Sequence, residues 1–364
     1  MTAEPRLPLG PGPSPVPTRV LEALARPTLG HLDPDFLQIL DETNDLLREV
    51  FRTENLAFAV SASGSGGMEA AMVNLLEPGD TVVVGVAGFF AERMAEMARR
   101  TGAEVVRVEG TWGRPVAFED LEAALGQHPE TKVMAVVHAE TSTGVRQPLE
   151  KVAAMCRERD VLLVVDCVAS LGGLPVEVDR LGIDVCFSGS QKCLSVPPGL
   201  APISYSAKAL AAVEARKTPV QSWYFDVMGV RQYVGAADRR YHHTAPVNMI
   251  YGLNEGLKIV LEEGLEARWH RHQEVGGAFQ DRIQELGFEL FAPEEYRLPQ
   301  VTSLLIPSGA DDAGARKRLI EEHGIEIAGG LGEYRGRMWR VGLMGHGATM
   351  ENVDLLLDAI SAVI

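Results

Sequence analysis

The chain has 364 residues, with 34 Lys and Arg against 50 Asp and Glu and a formal net charge of −16. That balance argues against a nucleic-acid partner, which needs a positive footprint. Hydrophobic residues at 46% and charged residues at 23% are ordinary for a soluble globular protein, and no uncharged apolar run of about 18 residues offers a membrane span.

At about 150 residues per domain the length suggests two domains. Met1 to Arg19 is rich in Pro and Gly and lacks an apolar core, so no signal peptide is expected. From Thr28 to about Tyr251 short apolar runs alternate with helical patterns. The expected strands are Ala57–Ser61, Thr81–Val86, Glu104–Val108, Lys132–His138, Val161–Val165, Val185–Ser188 and Ala201–Tyr205. They are Val-rich and nearly continuous in apolar character, as strands buried on both faces are. Asp33-Pro34 opens a helix with a capping side chain and Pro at the first helical position. Further helices are expected over Phe89 to Arg100, stopped by Gly102, and over Leu149 to Arg159. Such alternation means a mostly parallel sheet covered by helices.

The pattern changes near Pro246. A long helical region runs to Leu286, broken around Gly264. A strand at Val301–Ile306, a helix from Asp311 to His323, strands near Glu326 and Met338–Val341 and a last helix from Met350 to Ile364 follow. This reads as a second, α+β domain. Cys156, Cys167, Cys186 and Cys193 show no CxxC spacing and read as buried or bystander thiols in a reducing compartment.

Several residues can carry chemistry. Ser61-Ala-Ser-Gly-Ser-Gly-Gly67 follows a strand and precedes the helix begun at Met68. Small residues let the backbone approach an anion, and free N–H groups at a helix start supply donors; the same stretch also fits a plain tight turn. Asp166 ends the run Val161 to Val165, where open α/β sheets place their ligands; a turn or capping Asp is the alternative. Lys192 follows Ser188-Gly-Ser-Gln191 at another strand end. A desolvated Lys has a depressed pKa and can form a Schiff base, though most single lysines are solvated. His242-His243 offers two imidazoles, but adjacent residues of an extended loop point apart and no third ligand is spaced with them. His270 and His272 read as a solvated helix face. Arg340, on the apolar strand Met338 to Gly342, wants a carboxylate, either a substrate's or a structural partner's.

A phosphate-type turn, a strand-end Asp and a strand-end Lys together suggest pyridoxal phosphate chemistry. With Leu9-Gly-Pro-Gly-Pro-Ser14, Glu140-Thr-Ser-Thr-Gly144, Val165-Asp-Cys-Val-Ala-Ser-Leu-Gly-Gly173, Tyr241-His-His-Thr244 and Trp339-Arg-Val-Gly342, the chain resembles the class V aminotransferases of fold type I. Within them it looks nearest to the alanine–glyoxylate and serine–pyruvate (serine–glyoxylate) enzymes. The resemblance implies an α/β fold with a mostly parallel seven-stranded sheet flanked by helices and a smaller C-terminal α+β domain. It divides the chain into an arm (1–27), a large cofactor domain (28–255) and a small domain (256–364). It implies that Lys192 holds the cofactor as the internal aldimine and then moves the proton, with Asp166 on the pyridinium nitrogen. Ser65, Gly66, Gly67 and Gln191 would grip the phosphate, and Tyr241 and Thr244 would reach it from the partner subunit of a homodimer. Thr141 would bond near the ring oxygen, and Arg340 would take the substrate carboxylate. Phe90 stands where family members often have a Trp stacked on the ring, and Gly67 where they often have His.

The implied reaction is a ping-pong transfer from alanine or serine to glyoxylate or pyruvate. A cysteine desulfurase would need a Cys on a mobile loop of the second domain, and no Cys follows Cys193. A non-catalytic pyridoxal phosphate protein would not need Lys192, Asp166 and Arg340 together. Ser361 to Ile364 is not a peroxisomal address, so a cytoplasmic protein is expected. No membrane partner is expected.

Overall fold

The computed structural model describes residues 6–235, 238–307 and 309–364. Its main sheet has seven strands: β1 (Leu56–Val60), β2 (Thr81–Val86), β3 (Glu104–Glu109), β4 (Thr131–Val137), β5 (Leu162–Asp166), β6 (Val185–Phe187) and β7 (Ala201–Tyr205). All seven expected strands form, with no end displaced by more than one residue. They lie in the order β1-β7-β6-β5-β4-β2-β3. Pairing is parallel except that β7 runs against both neighbours. Every residue of β2, β5, β6 and β7 is buried. Helices on both faces explain why these strands are apolar throughout rather than alternating.

Asp33 does cap the helix Pro34–Phe51, accepting from the Asp35 N–H at 2.9 Å. The helical region beyond Pro246 is two helices, Val247–Glu263 and Leu265–Glu285, parted at Gly264 with φ +84°. The first packs in the core of the main sheet. The second passes from that core at Leu265 into a smaller one at Val275. The smaller core lies around an antiparallel sheet of β8 (Glu289–Leu290), β9 (Val301–Leu305), β10 (Ala328–Gly329) and β11 (Met338–Gly342), in the order β8-β9-β11-β10. Helices Asp312–His323 and Met350–Val363 complete it. No helix among the described residues is long and apolar enough to cross a membrane.

The N-terminal arm belongs to both halves. Leu7 and Pro8 pair in parallel with Ile325 and Glu326, and Leu9 is wholly buried in the smaller core.

The reading of His272 as solvated is corrected here. His270 is exposed beside Glu274, but His272 is fully buried. It lies on the inward stripe Leu265, Arg268, His272, Val275, Phe279. Its Nε2 accepts the Gly345 N–H at 2.9 Å, which leaves Nδ1 to donate to the Arg268 carbonyl at 2.7 Å. Burial, aided by the Arg268 guanidinium, pushes its pKa down to about 3, so the ring is neutral. All four cysteines are buried and free, as expected.

Candidate active site

The chain ends of the parallel strands open on a cleft of about 620 Å³. Asp166, the last residue of β5, lies in its floor, 3% exposed. One carboxyl oxygen accepts the Val168 N–H at 2.8 Å; the other has no hydrogen-bond partner among the described residues. Burial outweighs that single bond and pushes the carboxyl up to about 8.

Lys192 reaches the same cleft from the loop after β6. Its Nζ donates to the Pro11 carbonyl of the N-terminal arm. Burial first, and then the Arg340 guanidinium, push its amine down to about 8. The arm is built around this side chain. A Cβ on Gly12, whose φ is +106°, would lie 2.6 Å from Lys192 Cδ. Ser14 Oγ donates to the Lys192 carbonyl at 2.7 Å, and the Ser14 N–H donates to the Gln191 carbonyl at 2.9 Å. That is the physical content of Leu9-Gly-Pro-Gly-Pro-Ser14: small residues and carbonyls that roof a buried lysine.

The phosphate-type turn is displaced from its expected place. The helix begins at Gly64, not at Met68. The N–H groups of Gly66 and Gly67 are therefore spent on the Ser63 carbonyl, at 2.8 and 3.2 Å. Gly67 faces Ala201 and Phe187, and Gly66 faces Ala62. Ser63, Gly64 and Ser65 line the cleft instead. The unused donors of a helix start thus lie two residues earlier than the sequence reading placed them. Gln191 lines the cleft, and its Oε1 is buried without a partner.

Phe90 and Thr141 also line the cleft. Phe90 is held by Glu140, which the sequence reading quoted in a motif but gave no role. Glu140 is buried. One of its carboxyl oxygens accepts the N–H groups of Phe90 and Ala91 at 3.1 and 3.2 Å, at the start of the helix Phe89–Arg100. The other accepts from the Ser142 N–H at 3.0 Å and hydroxyl at 2.6 Å. Burial raises its pKa, and those four bonds pull the other way. A Cβ on Gly88 would strike the Glu140 side chain at 2.4 Å.

Arg340 sits on β11, 7% exposed. It donates to the Gly329 carbonyl at 2.8 Å and to the Thr141 carbonyl at 3.2 Å. It forms no ion pair among the described residues, and burial lowers its pKa to about 10. A structural ion pair is therefore not what it is for. Tyr241 and Thr244 are exposed, bonded to each other at 3.1 Å, and do not line the cleft of their own chain. Between them, His242 and His243 do not point apart as expected. Their Nδ1 atoms are 2.8 Å from each other; the His242 ring stacks on Trp223, and the His243 ring lies tilted against Tyr224.

Residues 10–356 match the family described as aminotransferase class-V. This chain belongs to the class V aminotransferases. An alanine–glyoxylate aminotransferase of Drosophila melanogaster is 42% identical over 98% of this chain and 91% of that protein. A (S)-ureidoglycine–glyoxylate transaminase of Bacillus subtilis is 38% identical over 97% and 89%. A solved alanine–glyoxylate aminotransferase from Nostoc sp. superposes with a TM-score of 0.97 at 46% identity, over 100% of this chain and 96% of that one. The fold is type I, and the cofactor of this aminotransferase is pyridoxal phosphate.

The cleft suits that cofactor on its own terms. A neutralisable buried amine faces it for the carbonyl, a buried carboxyl with one free oxygen for the ring nitrogen, and the helix start at Ser63 to Ser65, with its N–H donors, for the phosphate side.

Proposed function

We propose that this aminotransferase moves an amino group from alanine or serine to glyoxylate or pyruvate in a ping-pong cycle, as a cytoplasmic homodimer. Pyridoxal phosphate supplies the carbonyl that takes the amino group and the ring that withdraws electrons. The observation that carries the reading is Arg340, a buried guanidinium without a carboxylate, beside Lys192 and bonded to the cleft residue Thr141. A planar fork of that kind takes a carboxylate in two parallel bonds. Both partners of the reaction carry one α-carboxylate, and in this reading Arg340 takes each in turn. The keto product must therefore leave before the second acid enters, which is what ping-pong kinetics require.

The rest of the chemistry belongs to the chain. Lys192, with its amine held near pH 8, can take a proton from the substrate carbon and return it. Asp166 can keep a proton on the ring nitrogen, because its own carboxyl and that nitrogen share one in a dry site. Phe90 walls one side of the cleft. That Tyr241 and Thr244 are exposed and outside their own cleft supports a role for them in a partner subunit's site. The choice of glyoxylate follows the relatives, whose names share that acceptor.

Half-reaction spectroscopy tests the assignment. Alanine and serine should each discharge the bound cofactor's absorbance band, and glyoxylate or pyruvate should restore it. Double-reciprocal plots should be parallel. Failure of both oxo acids to restore the band refutes the acceptor assignment, and intersecting plots refute the ping-pong order.

A further inference from the structure

Arg93 lies one turn into the helix Phe89–Arg100, and its side chain ends in the cleft. Helical side chains lean back toward the N-terminus, so residues three and four earlier are its neighbours. Its guanidinium lies over the Phe90 ring at 5.0 Å and the Phe89 ring at 5.3 Å. Its Nη1 donates to Ser65 Oγ at 2.7 Å. One cation thus holds both the hydroxyl of the phosphate-type turn and the ring that walls the cleft.

The carboxylates on its own helix are engaged elsewhere. Glu92 pairs with Arg107 at 2.8 Å, and Glu96 with Arg99 and Arg100 at 2.8 Å each. Arg93 forms no ion pair among the described residues, and Arg keeps its charge at any working pH. Of the other two cations, Lys192 donates to the Pro11 carbonyl, and Arg340, bonded to Thr141 and Gly329, does not itself line the cleft. On its outer side Arg93 borders an open surface cleft of about 1000 Å³, where water can hydrate it.

We propose that Arg93 reads the charge of the cofactor's phosphate, and through Ser65 and Phe90 sets the turn and the ring wall around it. The chain then distinguishes the phosphorylated cofactor from its dephosphorylated form largely by this residue. The proposal rests on the reading that the turn at Ser63 to Ser65 holds the phosphate.

The test is titration of the cofactor-free, full-length protein with pyridoxal phosphate and with pyridoxal, followed by absorbance. The wild type should prefer the phosphorylated form strongly. Arg93→Gln should lose roughly ten- to hundred-fold in affinity for pyridoxal phosphate and almost nothing for pyridoxal. Arg93→Lys keeps the charge and should lose only a few-fold for pyridoxal phosphate, again sparing pyridoxal; it carries the test if the Gln variant does not fold. Equal losses for both ligands would make Arg93 a mere packing residue and overturn the proposal, as would an Arg93→Gln variant with unchanged preference or a Lys variant as poor as the Gln one. If the wild type itself binds the two ligands alike, the phosphate reading of the turn fails, and the proposal with it.

Discussion

Asp166 and Lys192 approach each other from opposite ends of the pH scale, from ordinary values of 3.8 and 10.5 to about 8 each. Burial is the main cause for both, because it disfavours whichever form is charged. Between pH 3.8 and about 8 the folded chain holds a proton on Asp166 that the unfolded chain releases, so this residue makes stability fall as pH rises through that window. Lys192 has the opposite sign. The unfolded amine holds a proton that the folded one sheds between about 8 and 10.5, so stability rises with pH there. The cofactor-free Asp166→Asn variant should therefore gain in melting temperature over the wild type, and the gain should widen from pH 5 to pH 8. A gain independent of pH would show that the carboxyl ionises in the cleft at no cost. The same variant should keep the cofactor yet transfer protons far more slowly, since an amide cannot hold a ring nitrogen protonated. Arg340→Lys should raise KM for alanine and for glyoxylate together, at least about ten-fold, because a point charge replaces a two-pronged grip. Cofactor absorbance should be unaltered. Unchanged KM values would mean that another cation takes the carboxylate.

At the scale of elements, the arm Leu9 to Ser14 shows how a short irregular stretch governs a catalytic side chain. Gly12→Ala would place a methyl group 2.6 Å from Lys192 Cδ, at a φ that L residues rarely adopt. It should shift Lys192, weaken or abolish its link to the cofactor and lower stability by about 1–3 kcal/mol. Absorbance titration and a thermal melt would show both; a normal spectrum would mean that the arm gives way. The strands of the large sheet are legible in sequence because Val-rich runs bounded by turn residues have few other uses. Asp166 is legible for the same reason, since it ends such a run, and Lys192 because the small residues Ser188-Gly-Ser link it to the end of the next. The start of the helix at Gly64 is not, because Ser63 to Gly67 carries no apolar periodicity and the helical pattern becomes readable only at Met68. Glu140 and Arg93 are hidden for another reason: their partners Phe90 and Ser65 lie on other segments, and only folding brings them together. His272 is different again. The spacing of Leu265, Arg268, His272 and Val275 is helical and points inward, so its burial can be read from the chain.

The whole molecule carries a net charge of −16, yet its cleft is lined by Lys192 and Arg93, with Arg340 behind Thr141. Anionic substrates are drawn by this local field and not by the overall charge. If Tyr241 and Thr244 complete a neighbour's cleft, two dead variants should rescue each other. Lys192→Ala mixed with a variant disabled at Tyr241 and Thr244 should regain part of the wild-type rate once subunits exchange, because one site of each hybrid is whole. No recovery after proven exchange would place both loops in one subunit. Finally, the pairing of Leu7 with Ile325 sets an order of events during synthesis. The segment that roofs Lys192 is made more than 300 residues before the strand it joins. Until then Pro11 and Gly12 are held only from the Ser14 side, by its bonds to Gln191 and Lys192, and the cover of the lysine pocket is tethered at one end. A nascent chain stalled before Gly324 should thus fold much of its large sheet and still fail to capture pyridoxal phosphate tightly, so that cofactor loading becomes a report on synthesis of the strand at Ile325.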